Sequence, residues 1–138
     1  MLKVIRSHRS SASLTDLYSG LQIAQVRVVF HLPKKTVHQV CPSLDTSPET
    51  HLAYVEWFSP LTGTPGTPHL MHRVSRLMKN GECRMGIIRV DWILRSIHLL
   101  PSFGPVVPRE WNSFTVLDQC QVFYVNPFTD VRSYIGFV

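Results

Sequence analysis

The stretch Gln25-Val26-Arg27-Val28-Val29-Phe30-His31-Leu32 decides the fold class. Val26, Val28, Phe30 and Leu32 alternate with Arg27, Val29 and His31, and a period of two is that of a half-buried strand. The same reading extends outward. Leu52–Phe58 (Leu-Ala-Tyr-Val-Glu-Trp-Phe) is a second strand rich in branched and aromatic residues, and His69–Leu77 a third. Asn80-Gly81 suits a type I′ hairpin turn, with Met85–Val90 returning from it. Val116–Val125 is the last strand. Val28, Phe30, Val55, Trp57, Ile88, Cys120 and Val122 are the expected core.

Between these strands lie the breakers. Residues 33–51 run from Pro33-Lys34-Lys35 to Ser47-Pro48-Glu49-Thr50, and residues 59–68 hold Pro60, Gly63, Pro65, Gly66 and Pro68. Both read as loops. Ser13 or Thr15 can cap a short helix ending at Gly20, and Asp91 can cap a helical turn. Leu99–Pro108 is an extended connection whose prolines lack ladder donors. Asn126-Pro127 resembles a helix start, with Phe128, Val131 and Ile135 at helical spacing. The expected architecture is therefore mainly β: a small barrel-like or sandwich module of about five short strands with one or two short helical turns. An ill-defined segment, 1–24, precedes a β-rich domain, 25–138.

Composition bounds the function. With 138 residues, 44% hydrophobic and 17% charged, the chain suits one globular domain. Cys41, Cys83 and Cys120 are an odd, sparse set, simplest as free thiols in a reducing compartment. No signal-like start or long apolar run stands out, so the expectation is an intracellular protein with no membrane partner.

The formal charge is +5, and the excess is uneven. Arg73, Arg76, Lys79, Arg84, Arg89, Arg95 and Arg109 face only Glu82 and Asp91 within their block. A block of that sign favours a polyanion or an acidic protein, although an ordinary solvated surface has the same composition. Arg73, Arg76, Lys79, Arg84 and Arg95 are the candidate nucleic-acid contacts. Trp92, Phe103 and Trp111 are interleaved with them and could stack on bases, against the plainer reading of tryptophans as core.

Catalytic patterns are weaker. The nine acids are scattered, whereas two-metal nuclease chemistry gathers carboxylates around the ions. No G-x-S-x-G elbow, reactive-cysteine signature or phosphate-binding glycine loop is present. His98 reads as a satisfied histidine at a core edge. His38/Cys41 and His69/His72 have the separation of paired zinc ligands, but residues three apart on a strand point to opposite faces. Tyr54, Trp57 and Phe58 could form a cation cage, with core packing the stronger alternative. No catalytic residue, metal, cofactor or small-molecule substrate is expected.

The runs Val26–Pro33, Ala53–Leu61, Arg73–Arg76, Ile87–Val90, Arg95–Pro105 and Val116–Phe128 follow one another in an order that resembles the C-terminal region of Plavaka-type (CACTA-like) transposases of mushroom-forming fungi. In that family the catalytic, RNase-H-like part lies upstream. The resemblance therefore implies a non-catalytic accessory module, working in the nucleus on DNA or chromatin with a transposase catalytic domain as partner. Arg89 departs from the pattern, standing where a proline is expected. Tyr54–Pro60, Ile97–Pro101 and Val116–Val122 also resemble, in strand order, the BAH-type chromatin-reading domains, an analogy of fold that carries no function by itself. A protein–protein or self-association module, or a transposon relic without present function, are the alternatives.

Overall fold

The computed structural model describes residues 2–6, 21–40, 42, 51–61 and 70–126. The chain is mainly β, as its alternation predicts. Among the described residues ten short strands stand where about five were expected: β1 Leu2–Arg6, β2 Leu21–His31, β3 His51–Trp57, β4 Arg73–Ser75, β5 Met78–Lys79, β6 Glu82–Cys83, β7 Met85–Arg89, β8 Ile93–Ser96, β9 Leu99–Pro101 and β10 Val122–Val125. Two short helices, α1 Lys34–Val40 and α2 Val116–Gln119, and a 3-10 turn at Val90–Trp92 complete them. None of the described helices is long and apolar enough to cross a membrane.

Five strands form an antiparallel sheet in the order β7-β3-β2-β1-β8. Its two edge strands are consecutive in sequence, joined only by the 3-10 turn. Arg89 pairs with Leu52 and thence Phe30, whereas Ile93 pairs with Ile5 and thence Gln22. In a flat sheet those rows would lie roughly 26 Å apart along β2 and four strand spacings, about 19 Å, across it. Four peptide steps reach at most about 14 Å. The sheet therefore has to coil, and β2 bends at an irregularity in its pairing between Val26 and Val28. β7 and β8 approach at this corner without pairing, so the barrel stays open.

Coiling separates the two larger apolar clusters from each other, a smaller third one gathering around Leu52. Ile5, Ala24, Val26, Ala53, Val55 and Ile88 line the inner face with Trp57, Val90, Trp92 and Ile93. A second sheet, β4-β10-β9, packs on part of the outer face. There Val4 and Ile23 meet Phe58, Val74, Ile97, Leu99, Phe123 and Val125. Phe58 and Phe123 meet edge to face at 5.7 Å, and both are fully buried. Each contributes about 1.5–3 kcal/mol by burial alone.

The structure corrects several expectations. The bulge at Arg27 places Val26 inside and Val28 outside, so Val28 is 55% exposed instead of core. Val55, Ile88 and Cys120 are buried as expected; Phe30, Trp57 and Val122 are only half-buried. The boundary drawn at residue 24 falls within β2, and β1 lies in the segment read as ill-defined. The loop expected from residue 33 opens with α1. The strand expected over 69–77 is reduced to β4, with Arg76 bridging to Phe58.

Asp91 does not cap its turn: it lies within Val90–Trp92, whose N-cap position is Arg89, and its carboxylate binds the Arg89 side chain. Val116–Val125 is not one strand but α2 followed by β10. Asn112 Oδ1 accepts the Phe114 and Thr115 amides at 2.9 and 3.1 Å, and Thr115 Oγ1 accepts the Asn112 amide at 3.1 Å. Those bonds close the turn over residues 112–115 that leads into α2, whose own N-cap position, Thr115, has no side-chain cap bond, and they outweigh the strand propensity of Val116. The Asn80-Gly81 turn is as expected, with positive φ at both residues (54° and 83°), but it joins β5 to β6, and Met85–Arg89, expected to return along residues 69–77, pairs with β3 instead. The helices expected near residues 13–20 and after Asn126, and the loops over 43–50 and 62–68, lie outside the described residues.

Candidate nucleic-acid interface

The basic block does not form one stripe. Arg73 is exposed on β4, where Val74 beside it turns into the core. Lys79 and Arg84 are exposed on and just after the β5–β6 hairpin. Arg95 is half-buried on β8, the opposite edge of the large sheet from β7. The hairpin bases thus come together, Arg73 stands on the second sheet, and Arg95 stands on a third element, β8.

Arg76 leaves the candidate set. Its side chain is 3% exposed and every part of its fork is engaged. Nε donates to the Leu117 carbonyl at 2.7 Å, one Nη to Glu56 at 2.8 Å, and the other to Gln25 and to Asp118, the latter at 3.1 Å. Its guanidinium also lies 5.3 Å from the centre of the Phe58 ring. Register explains this. Val74 and Arg76 share the inward face of their segment, and the only way to bury a guanidinium there is to surround it with acceptors.

Around Arg76 the structure assembles a group that the sequence did not suggest. The β2 bulge turns Arg27 onto the same side, where it donates to Glu56 at 2.8 Å and also to Asp118. Two arginines and two carboxylates from β2, β3, α2 and the segment after β4 therefore neutralise one another. Arg27 is held charged above its ordinary range by hydrogen bonds to Asp118 and Glu56. The Asp118 carboxyl is held below its ordinary range, chiefly by its bond to Arg27. Both carboxylates serve as anchors here. A local signal for Arg27 existed in the alternation; for the Glu56–Asp118 meeting none did.

The other candidates fall out differently. Among the described residues no three of His, Cys, Asp or Glu are grouped to hold a metal ion. His38 is exposed on α1 and His72 buried before β4, while Cys41 and His69 lie outside the described residues. Cys83 and Cys120 are free thiols. Phe58 is core, and the Tyr54 hydroxyl contacts the Met85 sulfur at 3.0 Å, so no cation cage forms. Trp92 and Trp111 pack partly against the cores, and Phe103 is 53% exposed.

No protein-family model, curated protein or solved structure matches the chain.

Proposed function

We propose that this is a non-catalytic module that binds DNA or chromatin through phosphates, as an accessory of a transposase-like protein in the nucleus. One observation carries the reading. Glu56, Asp118 and Asp91 are spent on Arg27, Arg76 and Arg89. Lys35, Arg73, Lys79, Arg84 and Arg109 are exposed, with Glu82 and Glu110 as the other acids among the described residues. Pairing three acids with three arginines leaves the net charge unchanged, but outside those pairs the exposed bases of the described residues outnumber the acids. α1 and α2, of seven and four residues, are short for a helix that reads a major groove, so base preference is slight.

Fluorescence anisotropy on duplex DNA at stepped salt concentrations tests this. Contacts by Arg73, Lys79 and Arg84 give a log–log salt slope of roughly −2.7, at about −0.9 per phosphate. Arg84→Ala reduces the slope by about one unit. With magnesium or manganese the protein neither nicks nor joins the duplex. Undetectable binding at low salt overturns the proposal.

The runner-up is a protein-binding module. It is favoured by the exposed Val28, Met78, Met85, Phe103 and Phe114.

A further inference from the structure

We propose that β7 is a docking edge for an extended, acid-flanked peptide, which adds to the large sheet as a sixth strand. Among the described residues β7 pairs with β3 alone. Trp57 N donates to Arg84 O at 2.9 Å, and the register then turns the peptide groups of Gly86 and Ile88 toward β3. Those of Met85 and Ile87 point away from the sheet, by the alternation of an antiparallel ladder. Such a row is a template for another chain, and proteins ordinarily blunt it.

The other edges are blunted. β9 ends in Pro101, and β8 runs four residues against a register shift in β1. β4 has only three residues and is flanked by Ser59, whose amide donates to Ser75 O at 2.8 Å and whose Oγ accepts the Ser75 amide at 3.1 Å. β7 has five residues, no proline, no bulge and no acid.

Both faces of this edge offer places for alternate side chains. On the inner face Gly86 leaves its position empty and the Trp57 indole lies across it: a Cβ there would sit 2.8 Å from Trp57 Nε1. A side chain of an added strand opposite Gly86 meets the indole. On the outer face Met85, 52% exposed and touching Tyr54, takes the neighbouring side chains. Arg84 precedes the strand and, with Lys79 and Glu82 opposite each other on the adjoining hairpin, leaves a net positive charge that draws acids flanking the peptide to that end. The same charge argues against a second copy as occupant, since each chain carries +5.

The probe is a fluorescein-labelled peptide, Val-Thr-Val-Thr-Val between paired glutamates, with a lysine-flanked peptide as control. Binding to the full chain is read by anisotropy, and amide exchange by NMR. The glutamate-flanked peptide should bind at least tenfold more tightly than the control. At saturation it should slow exchange of the Met85 and Ile87 amides at least tenfold. Met85→Pro, which deletes one outward donor where a strand tolerates proline, should weaken binding at least fivefold. Met85→Ala, which keeps the donor, should stay within twofold to threefold. Unprotected Met85 and Ile87 amides in the wild-type complex overturn the proposal, whatever the variants do. Equal binding of both peptides also overturns it, as does protection that appears without peptide and grows with protein concentration, the mark of self-pairing.

Discussion

A guanidinium with 3% of its side chain exposed and acceptors from four residues around it is a different object from one in solvent. Removing Arg76 strands the buried Gln25 and the Leu117 carbonyl and leaves Glu56 with Arg27 alone, so Arg76→Ala should cost about 3 kcal/mol. Arg73→Ala, on the exposed face, should cost less than about 0.5 kcal/mol. Urea denaturation of the two variants checks the contrast, and equal costs would refute it. Asp118 carries a pH signature. Its folded pKa is depressed, so its contribution is present above the unfolded value, about 3.9, and lost as pH falls through the folded value. Because Asp118 is 49% exposed the effect is modest and weakens in salt. Asp118→Asn should flatten the acid limb of stability below about pH 4. An unchanged slope would mean the pairing with Arg27 does not persist in solution. The basic block was legible as composition, but burial depends on which face a residue takes, and Arg76 differs from Arg73 only in that.

At the scale of elements, legibility followed how local the cause is. Asn80-Gly81 fixes its turn with its own backbone, so the turn was legible, whereas the partner of Met85–Arg89, distant β3, was not. The alternation of β2 was visible, yet one extra residue at Arg27 exchanges its faces, and nothing in Val26–Phe30 announces a bulge. α2 had a signal, Asn112-Ser113-Phe114-Thr115, hidden by the strand-like Val116–Val125 that follows it. Asn112→Ala should therefore cost about 1 kcal/mol, as the loss of such hydrogen bonds does. It should also loosen Leu117 and Asp118 against Arg76. Thermal melts of Asn112→Ala, alone and with Arg76→Ala, should show less than additive losses. Strict additivity would separate the turn from the charged group.

For the molecule as a whole, β1 matters most, though nothing in its residues stands out. Five residues with one alternation are too few to stand out, and their partners are distant: β2 on one side, β8 on the other. Val4 belongs to one apolar cluster and Ile5 to the other, so this strand couples both cores. A chain lacking residues 1–6 should have no cooperative melting transition and should lose near-ultraviolet circular dichroism. Retention of a sharp transition would show that the sheet closes without β1.

The same strand sets a schedule. During synthesis β1 emerges some ninety residues before its outer partner Ile93–Ser96, as the Lys3–Ser96 pairing measures. At roughly 5–20 residues per second the ribosome holds that edge open for on the order of 5–20 s. Pairing between such distant segments also makes folding intrinsically slow. Through that interval the nascent chain exposes an unpaired strand, and holding it apart from its neighbours is work for a chaperone.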